Sequence, residues 1–360
     1  MMNRGNLSLV SIFRYCNTPP THHSKSIAMK TPSPDSLKQI KDFSRSVITF
    51  GVARVPGTER VFLGSSDFAV SEADLAGKFE PKELYRHESY VTGVALSGTT
   101  LVSGGYDGKL VFWDTEKKTK IRTLDAHTKW IRQVIVSPDG KQFASVADDM
   151  ACKIWDVASG KMIHDLRGHK EKTPNNFTSM LYAVTYSSDG KFLATGDKVG
   201  HVVVWNVTTG KEEATFEVPV MYTWDKTQRL HSIGGIRSLA FSPDGKQLAV
   251  GGMGKVGNID HLEGKTRVEV FDWKAGKQTA EFAGDKFSGL VNRLAWAPDA
   301  SWLLAAGGGA EGFFQFYDVA AKKVLKQEKM GTFIHDISVT PTADQITAVG
   351  HNKVLVFKLG

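Results

Sequence analysis

An apolar run ending in an aromatic or apolar residue and then an acid or its amide recurs along this chain: Ala73-Asp74, Trp113-Asp114, Trp155-Asp156, Trp205-Asn206, Phe271-Asp272 and Tyr317-Asp318, with Phe357-Lys358 closing the series. Successive pairs lie 40, 42, 50, 66, 46 and 40 residues apart. A unit of that size cannot bury an apolar face alone, so it must stack on its neighbours. The 360 residues therefore read as one repeat assembly and not as two or three separate domains.

The unit is clearest over residues 127–169. Residues 131–136 are a short apolar run, Ser137-Pro138-Asp139-Gly140 is a turn, and residues 143–146 are a second run. Asp148-Asp149 punctuates, residues 152–157 are a third run, Ala158-Ser159-Gly160 turns again, and residues 162–166 are a fourth. Period-two alternation broken by turn residues predicts four short antiparallel strands. The first strand of each unit falls at 47–53, 91–96, 131–136, 181–186, 236–241, 291–296 and 334–339. Turns of the form Ser-Pro-Asp-Gly follow at Ser137 and Ser242, with Ser187-Ser-Asp-Gly and Ala297-Pro-Asp-Ala as variants; Asp-Gly is a strong hairpin signal.

Over residues 33–360 the chain resembles the WD40 repeat family, whose period of about 40–45 residues carries Gly-His near the start and Trp-Asp near the end. Gly168-His169, Trp113-Asp114 and Trp155-Asp156 match literally, and seven pairs recur in phase. The resemblance implies an all-β, seven-bladed β-propeller of four-stranded antiparallel blades. Outer strands are expected near 82–85, 120–124, 162–166, 213–218, 278–282 and 324–327, but the last unit stops at Gly360 without one. An open sheet edge invites aggregation, and residues 36–43 alternate like a strand just before the first unit. They are expected to supply the outer strand of the last blade and close the ring.

Family resemblance also assigns a His, a Ser or Thr, an Asp and a Trp in each blade to a hydrogen-bonded network. His87, Ser103, Asp107 and Trp113 match it, as do His127, Ser145, Asp149 and Trp155. In the fourth unit His169, Thr195 and Trp205 are kept, while Val199 stands where the Asp is expected. A buried imidazole needs partners for both nitrogens, and repetition in successive units argues for architecture over a Ser-His-Asp nucleophile. No catalytic residue, cofactor or metal is expected.

Other motifs carry less. Gly252-Met-Gly-Lys-Val-Gly257 fits G-x-G-x-x-G but opens no helix that would hold a pyrophosphate. His231, Asp260 and His261 lie in long loops without metal-site spacing. Asn176 and Asn206 begin glycosylation acceptors that matter only in a secreted chain.

Of the net charge of +7, residues 1–46 carry seven basic side chains against two acids, leaving only +2 for the repeats. That is a poor footprint for nucleic acid. No apolar run reaches the roughly 20 residues of a membrane span, and two cysteines, Cys16 and Cys152, make no disulfide framework. A soluble, cytoplasmic chain with no nucleic-acid or membrane partner is expected. Residues 1–32 read as a disordered tail. The first 28 contain no acid, and a weak transit peptide or a start at Met29 remain alternatives.

Blade connectivity places the loops entering the inner strands and those joining strands two and three at one end. Most insertions fall there, at 170–180, 219–235 and 253–265. The same end carries Tyr90, Thr92, Trp130, Arg132, Tyr182, Arg237, Asn292, Phe333 and His335, and aromatics and arginines are typical hot-spot residues. The opposite rim, with Lys141, Lys161, Lys191, Lys211, Lys246 and Lys277, has aspartates beside three of them. The reading is a non-catalytic scaffold that binds a protein or peptide on its top face, as a monomer within larger complexes. The alternative is a small-molecule binder or metal-dependent enzyme at the channel mouth and the loops of blades 4 and 5.

Overall fold

Turn chemistry sets where strands begin and end. In Ser137-Pro-Asp-Gly140, Ser137 Oγ donates to Asp139 (2.7 Å) and accepts from the Gln142 amide (3.0 Å), while Gly140 takes φ 71°. A left-handed position suits glycine because no Cβ meets the carbonyl. The Ser187 and Ser242 turns repeat the arrangement. The variant turn ending in Ala300 keeps the same backbone, so an alanine is held at φ 59°.

The computed structural model describes residues 31–227, 230–260, 263–309 and 311–360. The first 30 residues, with Cys16 and all of the expected tail but Thr31 and Pro32, lie outside them, as does His261. Every strand pair is antiparallel, and no α-helix occurs among the described residues. The fold is an all-β propeller of four-stranded antiparallel blades. Five sheets have four strands each, running in sequence order from one edge to the other.

The sheet count departs from the expected seven blades: of the remaining strands, six form one sheet and two form a separate hairpin. The two long members of the six-stranded sheet, Lys38–Arg54 and Gln345–Lys358, each serve two partners. Lys38–Ser44 pairs with residues 353–358, whereas Thr49–Arg54 pairs with Arg60–Ser65. Likewise residues 346–350 pair with Ile334–Val339. No Gly, Pro, Asn or Asp interrupts Ser44-Arg45-Ser46-Val47, and the strand passes from one partner to the next through register shifts.

The expected closing segment thus lies against the C-terminal strand, beginning at Lys38 and preceded by a 3-10 turn, Pro34–Ser36. Gly360 N donates to Ser36 Oγ (2.8 Å), Trp302 Nε1 donates to the Pro32 carbonyl (3.0 Å), and Lys353 pairs with Asp42 (2.7 Å). Phe43 stacks on Phe79 at 4.7 Å.

Apolar side chains gather between neighbouring units. Val146, Ile154 and Cys152 meet Val184, Leu193 and Val203; Val52, Val61 and Leu63 meet Val349, Val354 and Val356, joining first and last repeats. The insertion before the fifth unit, expected as a loop, contains an extra hairpin, Tyr222–Asp225 with His231–Gly234.

Candidate functional site at the channel mouth

The His-Asp pairs resolve first. His127 Nδ1 lies 3.0 Å from Asp149 Oδ1 and its Nε2 2.8 Å from Ser145 Oγ, which also accepts from Trp155 Nε1 (3.0 Å). Burial opposes ionisation of Asp149. The His127 hydrogen bond and the Thr128 and Ala151 amides outweigh it and hold the carboxyl at about 2. His87, Asp107 and Ser103 repeat the geometry at 2.9 and 2.7 Å. Two details correct the expected networks. Trp113 Nε1 makes no hydrogen bond; Tyr85, stacked on that indole, places its hydroxyl 2.9 Å from Ser103 Oγ instead. The fourth unit is complete because Asp197, two residues before Val199, stands 3.0 Å from His169 Nδ1, with Thr195 on Nε2 (2.8 Å) and accepting from Trp205 (2.9 Å). In all three, both imidazole nitrogens are occupied by protein groups.

Chemistry particular to this chain lies at the axis. A cavity of about 210 Å³ is lined by residues from the start of every inner strand, among them Phe50, Thr92, Arg132, Tyr182, Arg237, Asn292 and His335. Arg132 forms a two-pronged ion pair with Asp148 (2.7 and 2.5 Å), and its Nη1 donates to Tyr106 Oη (2.7 Å). Burial opposes its charge, but Asp148 and Tyr106 raise its pKa above the usual value. Its guanidinium also lies 5.1–5.4 Å from the rings of Tyr106, Trp130 and Tyr182, a cation-π cage. Arg237 sits 3.6 Å over Tyr182.

Below the cavity, Arg293 donates to Asp336 (2.6 Å), whose other oxygen accepts from the Val52 amide (2.9 Å). Arg293 and Asp336 also line a second cavity, of about 350 Å³, between the inner strands. The ion pair therefore stands between the mouth and the lower channel.

Seven of the nine expected mouth residues line the upper cavity; Tyr90 and Trp130 stand outside it, 41% and 48% exposed. Two of the nine are committed elsewhere: Thr92 Oγ1 donates to the Ile131 carbonyl (2.6 Å) and Asn292 Nδ2 to that of Ile334 (2.7 Å), tying adjacent inner strands. Phe333 packs on His335 and His351 at 4.7 and 5.2 Å. Burial, then His351 and Arg293, push His335 down to about 3, so its imidazole is neutral at pH 7.

Tyr106, Phe50, Phe68, Asp148 and Lys198 were missed. Tyr106 and Phe68 lie in turns between second and third strands, the set of loops assigned to this end, and an aromatic there was the available signal. Phe68, Tyr90, Tyr106 and Trp130 form a continuous ridge, with centroids 5.7, 5.7 and 4.4 Å apart.

The G-x-G-x-x-G segment leaves a strand, Gln247–Met253, and opens no helix among the described residues. His231 Nε2 lies 3.8 Å from Asp260, and no three His, Cys, Asp or Glu side chains converge on a metal position among the described residues. No helix of those residues is long and apolar enough to cross a membrane. At the opposite rim Lys191 and Lys246 pair with Asp189 and Asp244 at 3.2 and 3.6 Å.

The family described as WD domain, G-beta repeat matches residues 80–114, 118–156, 160–206 and 225–256. These four stretches of the chain carry WD40 repeats. This WD40 propeller is 27% identical over 224 residues to nuclear distribution protein PAC1-2 of Uncinocarpus reesii, covering 58% of this chain and 43% of that protein. It is 30% identical over 165 residues to apoptotic protease-activating factor 1 of Homo sapiens, covering 46% and 12%. With guanine nucleotide-binding protein subunit beta of Solanum tuberosum it shares 27% identity over 169 residues, covering 46% and 42%. The chain spans less than half the length of each of these curated relatives.

Proposed function

We propose that this WD40 protein is a non-catalytic scaffold that binds a protein or peptide on the top face, and that its ring has seven blades. Three features support the blade count. The two long strands of the six-stranded sheet each serve two partners, so that sheet counts as two blades. Seven apolar clusters each combine side chains of consecutive repeats, the first and last included. Seven inner strands also converge on one cavity. The propeller spans residues 33–360, with 36–43 as its closing strand, and Pro32, expected in the tail, is tied to it by Trp302.

One observation carries the binding reading: arginines held on rigid strands and a half-exposed aromatic ridge meet at the axial mouth. Side chains fixed before docking lose little entropy in it. Such residues are the kind that dominate interfaces. Occupation of every imidazole nitrogen in the three networks supports an architectural role over nucleophilic catalysis. The upper cavity is below the roughly 300–1,000 Å³ typical of small-molecule sites. We further place the protein in the cytoplasm, as a monomer within a larger complex and without nucleic-acid or membrane partners. The name of one relative, a subunit, supports assembly into a complex.

Affinity capture with the wild-type chain and a Trp130→Ala, Tyr90→Ala double variant tests the face used. The expected result is loss of the captured partner by a variant that stays folded, with a melting temperature lowered by no more than a few degrees; full capture by the folded variant rules the top face out.

A further inference from the structure

Three guanidinium groups line the upper cavity, and two are matched by carboxylates: Arg132 by Asp148 and Arg293 by Asp336. Arg237 has no carboxylate within ion-pair distance among the described residues. Its guanidinium lies on Tyr182, and its Nη2 donates only to the Gly234 carbonyl at 3.2 Å. Lys198 lies beside Arg237, though outside the residues that line the cavity. A Cβ placed on Gly235 would come within 2.7 Å of the Lys198 backbone, and the Lys198 ammonium donates to the Thr178 carbonyl at 3.4 Å. Burial and then the charge of Arg237 lower its pKa, so the two cations repel one another. A guanidinium unmatched by a carboxylate among the described residues, with a second cation near it, attracts an anion more strongly at a partly desolvated site than it would in open water.

We propose that the mouth takes a carboxylate-bearing peptide segment, with an Asp or Glu side chain on Arg237 and Lys198 and an adjacent apolar side chain on the Tyr106–Trp130 ridge. This rests on the top-face reading and names its chemistry. Cavity size suits a single side chain entering end-on. Asp148 stands nearby and raises the Lys198 pKa, but it is already paired with Arg132 at 2.5 Å, so the cationic excess beside Arg237 remains. The ridge leads outward from the cavity, with Trp130 48% and Tyr90 41% exposed. It offers apolar contact only to a ligand that extends beyond the anionic group, as a peptide does.

Selection of a random dodecapeptide display library on the full chain tests this, with parallel selections on Arg237→Gln, Lys198→Gln and Trp130→Ala. The expected peptides carry Asp or Glu next to an aromatic or aliphatic residue. The best of them, synthesised with a fluorophore, is expected to bind about tenfold or more weakly to Arg237→Gln, the loss of a charge-assisted hydrogen bond. It should weaken similarly when its acid is changed to Asn or Gln, and progressively as salt rises. Should Arg237→Gln fail to fold, the peptide exchange and the salt series carry the same test. Peptides without acids that still depend on Trp130 overturn the inference and leave the top-face reading standing. Peptides indifferent to all three substitutions, or no enrichment at all, overturn both. A phosphoserine version binding tenfold more tightly than the Glu version overturns the carboxylate assignment.

Discussion

The indole of Trp130 lies flat on the ring of Tyr106, with centroids 4.4 Å apart and 4° between the planes, yet nearly half of Trp130 is open to solvent. Stacking holds the exposed ring in one orientation, and an aromatic pair of this kind contributes about 0.5–1.5 kcal/mol beyond area burial. Trp130→Ala is therefore expected to lower stability by about 1 kcal/mol and no more, as read in a denaturant titration. A larger loss would make Trp130 part of the structure of the mouth and not of its binding surface.

Arg132 and Asp148 should behave as one unit. Both side chains are largely buried, 15% and 9% exposed, and removing one leaves the other charge uncompensated. Asp148→Ala is expected to cost about 2–4 kcal/mol. The double variant Arg132→Met, Asp148→Ala should cost clearly less than the two single losses added together. Additive losses in the double-mutant cycle would show the pair to be uncoupled.

His335 makes stability depend on pH. Its folded-state pKa is pushed from 6.5 down to about 3, so between those values the unfolded chain takes up a proton that the folded chain resists. Stability from this group is fully present above pH 6.5 and is lost as pH falls toward 3. His335 Nε2 is also buried without a partner. His335→Phe is expected to flatten the fall in stability between pH 6.5 and 4, measured by urea titration at each pH. Parallel curves for variant and wild type would count against the assignment.

Ala300 occupies the left-handed position that Gly140, Gly190 and Gly245 hold in sister turns, at φ 59°. Ala300→Gly relieves the Cβ clash, offset in part by a freer unfolded chain, for a net gain of about 0.5–1 kcal/mol. A rise in melting temperature of about 1–3 °C is the expected readout. A fall would mean that the turn is unstrained.

Residues 31–44 carry the closing strand. Their removal exposes the edge formed by residues 353–358 and uncovers the apolar residues against which Leu37 and Phe43 pack. A fall in melting temperature of about 10 °C or more, with aggregation on heating, is expected. An unchanged melt would show that the ring does not depend on this strand.

Period, turn chemistry and alternation were legible in the residues themselves, because each is local: Ser-x-Asp-Gly closes its own hairpin whatever lies elsewhere. The fourth network misled for a related reason. Counting along the chain pointed to Val199, whereas Asp197 reaches His169 from two residues earlier; hydrogen bonding depends on where a turn bends and not on a fixed spacing. Trp113 misled in the other direction, since matching its family position did not show that Tyr85 would take its place on Ser103.

The sequence by itself determined the repeat, the antiparallel four-stranded unit and the end of the ring at which large side chains gather. Tertiary structure alone decided the six-stranded sheet and the charge balance of the mouth. Residues as distant as Arg293 and Asp336 cancel one another only because separate inner strands bring them within 2.6 Å. Among the described residues, the same convergence leaves Arg237 without a carboxylate. Ion pairing falls off over a few ångströms, and no spacing along a chain records which side chains a closed ring brings that near.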